Sequence, residues 1–559
     1  MAAAPNLPFE ILNNKGRHQR DSRDIVLGGG ANELVFGVVG HAGAGTSTVA
    51  DTLAKLLQQT KVGQDTFEVE LIVAQTVIRE WAKERNKPFP PVAEKPTLHQ
   101  VQELQDLGDA MRAEETEGGV ADHSAVARRM ILKIRAQRGE KTHQAVEGGK
   151  PVKPDGKHRV YILDSLRHPA EVALLRHIYQ DAFILIGVVC EEEKRIERLG
   201  KKCKDAGREN ALEFMRRDAD ADEKHGQHVA DTFHLSDFFV DHSMDRTNRD
   251  GSSNRLWEIN DHLMRLLRIL THSSLERPTI AETAMHHASS AQLRSACLSR
   301  QVGAALVDSG GNIVATGTNE APRAGGGVYG EQFRDHEEEE KAELDYRCAY
   351  FEKSSDRYCR NSRTQLEIIR HLIADIPVLA KVPPAEQPAL IESLRKTELG
   401  ALIEFSRAVH AEMDALLTAA RKGVSIVGTR LFVTTFPCHY CARHLVAAGV
   451  DEVQFIEAYP KSRAISLHRD AIELEGIDWK APSKGGTKVL IHPFSGVAPR
   501  LYKRAFTKDR ELKDKLTGEM RVQEPDWGTP WHLRSVGYPE MEAALSEETA
   551  STKEKAGEE

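Results

Sequence analysis

Four residues of this chain are the best suited to do chemistry: His410 and Glu412 in VHAEMDAL, and Cys438 and Cys441 in TTFPCHYCARHL. Alone, the Cys-x-x-Cys pair reads as a redox dithiol, half of a structural zinc knuckle or part of a catalytic metal site. The histidine separates these readings. One imidazole and two thiolates make three zinc ligands and leave the fourth tetrahedral position to water, which is a catalytic arrangement rather than a closed one. Zinc draws the pKa of such a water toward ~7. Glu412 is not needed as a ligand, and two residues from His410 it stands where it can move protons between that water and a substrate.

A second constellation lies near the start of the chain. GHAGAGTST, residues 40–48, follows an apolar run and opens a helical pattern, the context that a phosphate-binding loop requires. Gly40, Gly43 and Gly45 let backbone amides approach phosphate, and Thr46, Ser47 and Thr48 follow, with Ser47 at the position that usually meets Mg²⁺. Position 46, where such loops carry lysine, is threonine, so stabilisation of a terminal phosphate is weak and nucleotide binding is favoured over rapid phosphoryl transfer. Asp164, at the end of RVYILD, is the candidate Mg²⁺ partner. The cofactors expected are therefore Zn²⁺ and, at the loop, ATP or another nucleoside triphosphate with Mg²⁺.

These residues need elements to hold them. LVFGVVG, RVYILD (159–164) and AFILIGVVC (182–190) read as buried strands alternating with helices such as TSTVADTLAKLLQQ and AEVALLRHIY, which predicts an α/β domain with a parallel sheet. An amphipathic helix, 256–272, closes it. Beyond residue 280 the pattern changes to a helix, ETAMHHASSAQLRSACLSR, then a hairpin of QVGAALVD and NIVATGT. Helix, strand, helix and strand follow in VHAEMDALLTAARKG, TRLFVTT, PCHYCARHLVAAGV and DEVQFIEA. This order brings the N-termini of two helices together, with Pro437 and both cysteines expected in the first turn of one. The domains expected are a flexible leader over 1–30, a P-loop nucleotide-kinase-like domain over 31–272, a second α/β domain over 280–510 with an insertion about 326–404, and a C-terminal extension over 511–559 ending in a disordered tail. The acidic run HEEEEKAE reads as solvated helix surface.

Composition sets outer bounds. The chain has 559 residues, 40% hydrophobic and 29% charged, which is ordinary for a soluble multidomain protein. A net charge of -8 argues against broad affinity for nucleic acid. Seven cysteines are too few for a disulfide scaffold. No apolar stretch reaches the ~20 residues of a membrane span, and a cytoplasmic setting is expected.

HxE followed by PCxxC is the signature of zinc nucleobase deaminases. LRSACLSRQVGAALVD, NIVATGTNEAPR, HAEMDAL, FPCHYCARHLVAAGVDEVQFIEAYPKS and HPFSGVAPR further resemble the deoxycytidylate deaminase family, over about 285–325 and 405–505. That resemblance implies a cytidine-deaminase-like α/β/α fold with a mixed sheet and the conversion of cytosine to uracil with release of ammonia. It implies that Asn319 contacts the nucleotide sugar and that Tyr459, Lys461 and Ser462 recognise its phosphate; ordinary loop polarity is the competing reading of those three. Some members hold a second, structural zinc. Cys297, Cys348 and Cys359 lack ligand-like spacing for one and are read as buried thiols.

A P-loop domain ahead of such a deaminase resembles the bacterial anti-phage dCTP/dCMP deaminases. This implies depletion of deoxycytidine nucleotides during infection, a homo-oligomer and, for some members, an inhibitory non-coding RNA. A housekeeping dCMP deaminase of pyrimidine salvage, a nucleic-acid-editing deaminase and a nucleotide-sensing module with a merely structural deaminase fold are the competing readings.

Overall fold

The computed structural model of the chain describes residues 30–62, 65–114, 119–221, 223–246, 252, 254, 257–330, 347–350, 354–459, 461–476, 478–508, 512–521 and 533–534. The expected leader up to residue 29, the acidic run and the expected disordered tail lie outside the described residues. Gly30–Ala31 pairs antiparallel with Leu533–Arg534 of the C-terminal extension.

Apolar runs build the first sheet. Strands β1 (Glu33–Val39), β2 (Glu68–Val73), β3 (Arg159–Asp164), β4 (Phe183–Val189) and β5 (Phe238–Asp241) are parallel neighbours in the order β5-β4-β1-β3-β2. β1, β3 and β4 are buried at every position, as strands covered by helices on both faces must be. The covering helices include α1 (Thr46–Gln59), α2 (Leu98–Ala113), α3 (Pro169–Tyr179), α4 (Glu192–Lys202) and α5 (Arg208–Ala219), all between strands, and α6 (Ile259–Leu270) after β5. The chain winds to one side of β1 and then to the other. The carboxyl end of β1 is therefore a topological switch point, where open α/β sheets bind ligands, and the glycine loop begins there.

The second half opens with α7 (Ile280–Gln292) and continues through the antiparallel hairpin β6 (Gly303–Val307) and β7 (Ile313–Thr318). Two helices, α8 (Arg360–Asp375) and α9 (Gln387–Arg395), lie within the expected insertion. Then come α10 (Ala411–Arg421), β8 (Arg430–Thr435), α11 (His439–Ala448), β9 (Glu452–Glu457), β10 (Ile472–Glu473), β11 (Val489–Pro493), β12 (Gly496–Val497) and α12 (Pro499–Phe506). The sheet order is β7-β6-β8-β9-β11-β10, antiparallel at the hairpin end and parallel from β8 onward.

The two sheets are physically joined. β12 leaves the second sheet and pairs antiparallel with β5 of the first, Gly496 opposite Phe239 and Val497 opposite Phe238. The first sheet, parallel among β1 to β5, thus gains one antiparallel strand: the chain turns back after β11 and its run covers the edge of β5. Glu282, with no exposed side-chain surface, fixes the junction. Its carboxylate takes Arg265 of α6 at 2.5 and 2.8 Å, the amide of Thr279 at 2.7 Å and the amide of Val497 at 2.8 Å.

Local differences from expectation have local causes. α7 stops at Gln292 rather than running through residue 300, because the following backbone is satisfied otherwise: Ser295 Oγ donates to the Asn319 carbonyl at 2.6 Å and the Ala296 amide donates to Glu320 at 2.7 Å. α1 opens on Gly45 without a side-chain cap, although serine and threonine stand ready for that role. Cys297, Cys348 and Cys359 are partly exposed rather than buried. Among the described residues, no helix is long and apolar enough to cross a membrane.

Candidate active site

The first turn of α10 must lie close to the end of β7, and a glycine permits it. A Cβ on Gly317 would stand 2.1 Å from the Ala411 carbonyl, so any side chain there would drive the helix off the strand. Two further ties fix the approach. Glu320 and Val409 exchange backbone hydrogen bonds at 3.2 and 2.9 Å, pinning the residue before His410. Buried Asp414 accepts from the Thr318 amide at 3.1 Å. His410 then serves as the N-cap residue of α10, and buried Glu412 sits in its first turn.

Strand β8 delivers the other two groups. Phe436 donates its amide to the Glu457 carbonyl at 2.8 Å, so the chain leaves the sheet in a set direction. Cys438 is the N-cap residue of α11, and its Sγ accepts from the Cys441 amide at 3.4 Å. Pro437 therefore precedes the helix rather than lying in its first turn, while Cys441 does lie there. The sulfur that caps the helix is also one that faces His410.

The three ligand atoms converge. His410 Nδ1 lies 3.3 Å from Cys438 Sγ and 3.5 Å from Cys441 Sγ. Tetrahedral zinc with ordinary Zn–S and Zn–N bonds requires an S···N separation of about 3.6 Å, so the donor set fits the ion. All three ligand atoms lie within 4.8 Å of one another, and among the described residues no other His, Cys, Asp or Glu joins them. Three protein ligands leave a coordination position for a non-protein group, the mark of a catalytic rather than a structural site.

The electrostatics follow from this crowding. Hydrogen bonds from the Cys441 thiol and His410 bring Cys438 down to about 4, so it is a thiolate. The same thiolate raises His410 to about 9. Cys441 is pushed up, because it keeps the proton that it offers to Cys438. Glu412 is also raised, by burial, against the opposing pull of His410. A buried carboxyl whose neutral form is favoured is suited to accept and return a proton.

The residues tied to substrate by resemblance lie at different depths. Ser462 Oγ donates to the Pro437 carbonyl at 2.7 Å, which fastens its loop beside the cysteines. Tyr459 is half-buried with the Arg300 guanidinium 5.9 Å from its ring centre, and Lys461 is exposed. Asn319 is buried and its amide is engaged by backbone: Oδ1 accepts from Val302 N at 2.6 Å and Nδ2 donates to the Arg300 carbonyl at 2.5 Å. Glu320, Asp414 and Glu457, which position these groups, have no signal in the sequence beyond being acidic residues near a motif. Glu457 accepts from Thr435 at 2.8 Å and pairs with Arg300 at 3.0 Å.

The glycine loop forms a separate cluster. Gly43 and Gly45 have φ of 82° and 89°, values that side-chain-bearing residues rarely adopt. Among the described residues, the amides of Gly43, Gly45, Thr46 and Ser47 donate to no protein acceptor. Ser47 Oγ donates to Asp164 Oδ2 at 2.7 Å, and Thr46 Oγ1 lies 3.2 Å from Ser165 Oγ. The hydroxyl and carboxylate expected around Mg²⁺ are thus adjacent, across the ends of β1 and β3. His242 packs on the loop, its Nδ1 2.9 Å from the Ala44 carbonyl, and burial holds this imidazole neutral with a pKa near 4.

Comparison with known proteins agrees with the trio. Residues 278–457 match the family model of the cytidine and deoxycytidylate deaminase zinc-binding region. The deoxycytidylate deaminase of Enterobacteria phage T2 is 40% identical over 55 residues, which are 10% of this chain and 29% of that protein. The probable deoxycytidylate deaminase of Drosophila melanogaster is 32% identical over 73 residues, 13% of this chain and 35% of that protein. The chain thus spans about a third of the length of these relatives. Among solved structures, the dCMP deaminase of cyanophage S-TIM5 in its apo form is 18% identical, with 39% of this chain and all of that one covered, at a TM-score of 0.20; so low a score adds nothing to the fold. Family model and relatives together support a deoxycytidylate deaminase family domain in the part of the chain that contains His410, Cys438 and Cys441.

Proposed function

We propose that the chain hydrolytically deaminates deoxycytidine nucleotides, dCMP and dCTP, to dUMP and dUTP with release of ammonia. The observation that carries this reading is the His410 imidazole 3.3 and 3.5 Å from two sulfurs with buried Glu412 two residues along. A redox dithiol would leave both the imidazole and the carboxyl without a task. Zinc held by the trio supplies a Lewis acid that acidifies water near neutral pH. Glu412 takes a proton from the attacking water, delivers it to ring N3 of cytosine and so makes C4 open to attack. It then takes the proton of the hydroxyl added at C4 and passes it to the departing amine, which leaves as ammonia while the C4 carbonyl forms. Tyr459, Lys461 and Ser462 receive the substrate phosphate, with Lys461 as the cation, and the loop around Asn319 lies on the sugar side.

The glycine loop over residues 40–48 binds a regulatory nucleotide, ATP or another nucleoside triphosphate, with Mg²⁺ at Ser47 and Asp164. What supports this is the set of backbone amides at Gly43, Gly45, Thr46 and Ser47 that meet no protein acceptor, at the switch point of a sheet joined to the deaminase half through β12. From the resemblance to anti-phage deaminases comes the biological role, removal of deoxycytidine nucleotides during infection.

Deamination rates for CMP, dCMP, CTP and dCTP, each with and without ATP, test substrate and regulation together. Preference for the deoxy forms and a response to ATP are expected; turnover of ribonucleotides alone, or of cytosine only within oligonucleotides, would overturn the reading. For the role, cells expressing the chain should resist phage and cells expressing Glu412→Ala should not. Equal resistance would leave a housekeeping deaminase instead.

A further inference from the structure

The glycine loop lacks its lysine, since Thr46 stands in that position and turns its hydroxyl to Ser165. A triphosphate carries several negative charges, and amides alone offer only partial charges to meet them. The question is whether another cation reaches the loop.

Among the described residues, three arginines lie close. Arg198 is committed, donating to the carbonyls of Ala44 at 3.2 Å and Met244 at 3.3 Å and facing Asp245 at 3.6 Å. Arg167 is paired with buried Asp218, which also accepts from the Ala42 amide at 2.7 Å. Arg195 differs from both. It lies on α4, and that helix crosses the loop so tightly that a Cβ on Gly43 would be 2.6 Å from the Arg195 carbonyl and 3.0 Å from its Cα. Its Nε is enclosed and has no hydrogen-bond partner. Among the described residues, its guanidinium makes no ion pair within 4 Å.

The residue as a whole is partly exposed, but a buried donor without an acceptor is unfavourable and persists only where something repays it. Here burial does lower the Arg195 pKa. The neighbouring histidine reports the same positive field: His41 is depressed to about 3, first by burial and then by Arg195 and Arg167. Free amides, a lysine position without lysine and an unpaired arginine against the same glycine thus coincide within one loop.

We propose that Arg195 replaces the missing lysine, its guanidinium neutralising the phosphates of a nucleoside triphosphate held by the amides of residues 43–47. This rests on reading the loop as a nucleotide site. The cation arrives from α4, which already packs on the loop at Gly43, rather than from the loop itself.

Calorimetric titration of the zinc-loaded full chain with MgATP, inorganic tripolyphosphate and adenosine tests it, using wild type, Arg195→Gln, Arg195→Lys and the control Arg208→Gln, whose arginine pairs with Glu193 in solvent. Wild type should bind MgATP and tripolyphosphate. Arg195→Gln should weaken both at least tenfold, Arg195→Lys should fall between, and Arg208→Gln should match wild type. Without nucleotide, Arg195→Gln should melt no lower than wild type, because removing a buried Nε–H that has no acceptor relieves a cost; a structural arginine would instead leave a weaker protein. Wild-type affinity in Arg195→Gln, or a lower melting temperature in it without nucleotide, overturns the assignment of Arg195. Failure of wild type itself to bind either triphosphate overturns the nucleotide reading of the loop, and this inference with it.

Discussion

The zinc trio and the glycine loop both gather at helix N-termini, yet they are built in opposite ways. In the trio, side chains meet one another: one imidazole and two sulfurs stand 3.3 and 3.5 Å apart, all within residues 410–441. In the loop, backbone amides face outward, and the side chains that complete it come from Asp164, Arg195 and His242, far along the chain. A metal asks for specific ligand atoms at fixed distances. A phosphate asks for several donors and a net positive field, which many arrangements supply. The first site is therefore intolerant of change at any one residue, while the second degrades in steps.

Substitutions should expose that difference in order of size. Glu412→Gln should lower deamination by at least about 10²–10⁴-fold, the usual worth of a positioned general acid–base, while elemental analysis still finds zinc in the protein. A loss under tenfold would mean that the proton carrier lies elsewhere. Glu282→Ala leaves the amides of Thr279 and Val497 without their acceptor and Arg265 to the Glu276 carboxylate at 3.7 Å, and should destabilise by about 1–3 kcal/mol, measured by denaturant unfolding; a change under 1 kcal/mol would show that the junction is slack. Ser47→Ala removes one hydroxyl from the expected Mg²⁺ partners and should weaken MgATP about tenfold, near 1.4 kcal/mol, with less effect on ATP without Mg²⁺. Equal losses with and without Mg²⁺ would contradict the pairing with Asp164.

The smallest effect tests the contact between the halves. Glu191, at the N-cap of α4, is raised to about 7 by burial, with Glu475 of the second half and Asp241 adding to the shift. Between about pH 4.5 and pH 7 the folded protein keeps a proton that the unfolded chain has lost, so this group's contribution to stability falls as pH rises through that window. Glu191→Gln should consequently melt higher than wild type at pH 8 and the same at pH 4.5. Identical melting at both pH values would mean that Glu191 is not held in that acidic environment.

Legibility in the sequence followed the same division. Strands β1, β3 and β4 stand out as apolar runs because both their faces are covered, and the hairpin of β6 and β7 is marked by SGG between alternating segments. His410, Glu412, Cys438 and Cys441 are readable because each side chain is itself a reagent. What positions them is not: Gly317 matters only through the Ala411 carbonyl that approaches it, and Asp414 only through the Thr318 amide. β12 was hidden for a similar reason. Two residues carry no periodicity, and their pairing with β5 is set by a turn after β11 that spacing does not reveal. Arg195 sits in EEEKRIERLGKK, which reads as a charged surface helix, and only the packing of α4 on Gly43 separates it from its neighbours.

The central claim is that the His410–Cys438–Cys441 trio holds a catalytic zinc for deoxycytidine nucleotide hydrolysis. The direct measurement is to strip the purified protein with chelator, return zinc in steps, and follow ammonia release from dCMP and dCTP alongside metal content. The account predicts that activity is absent after stripping and returns in proportion, saturating at one zinc per chain. A protein that binds one zinc at this trio and releases no ammonia from either nucleotide would contradict it.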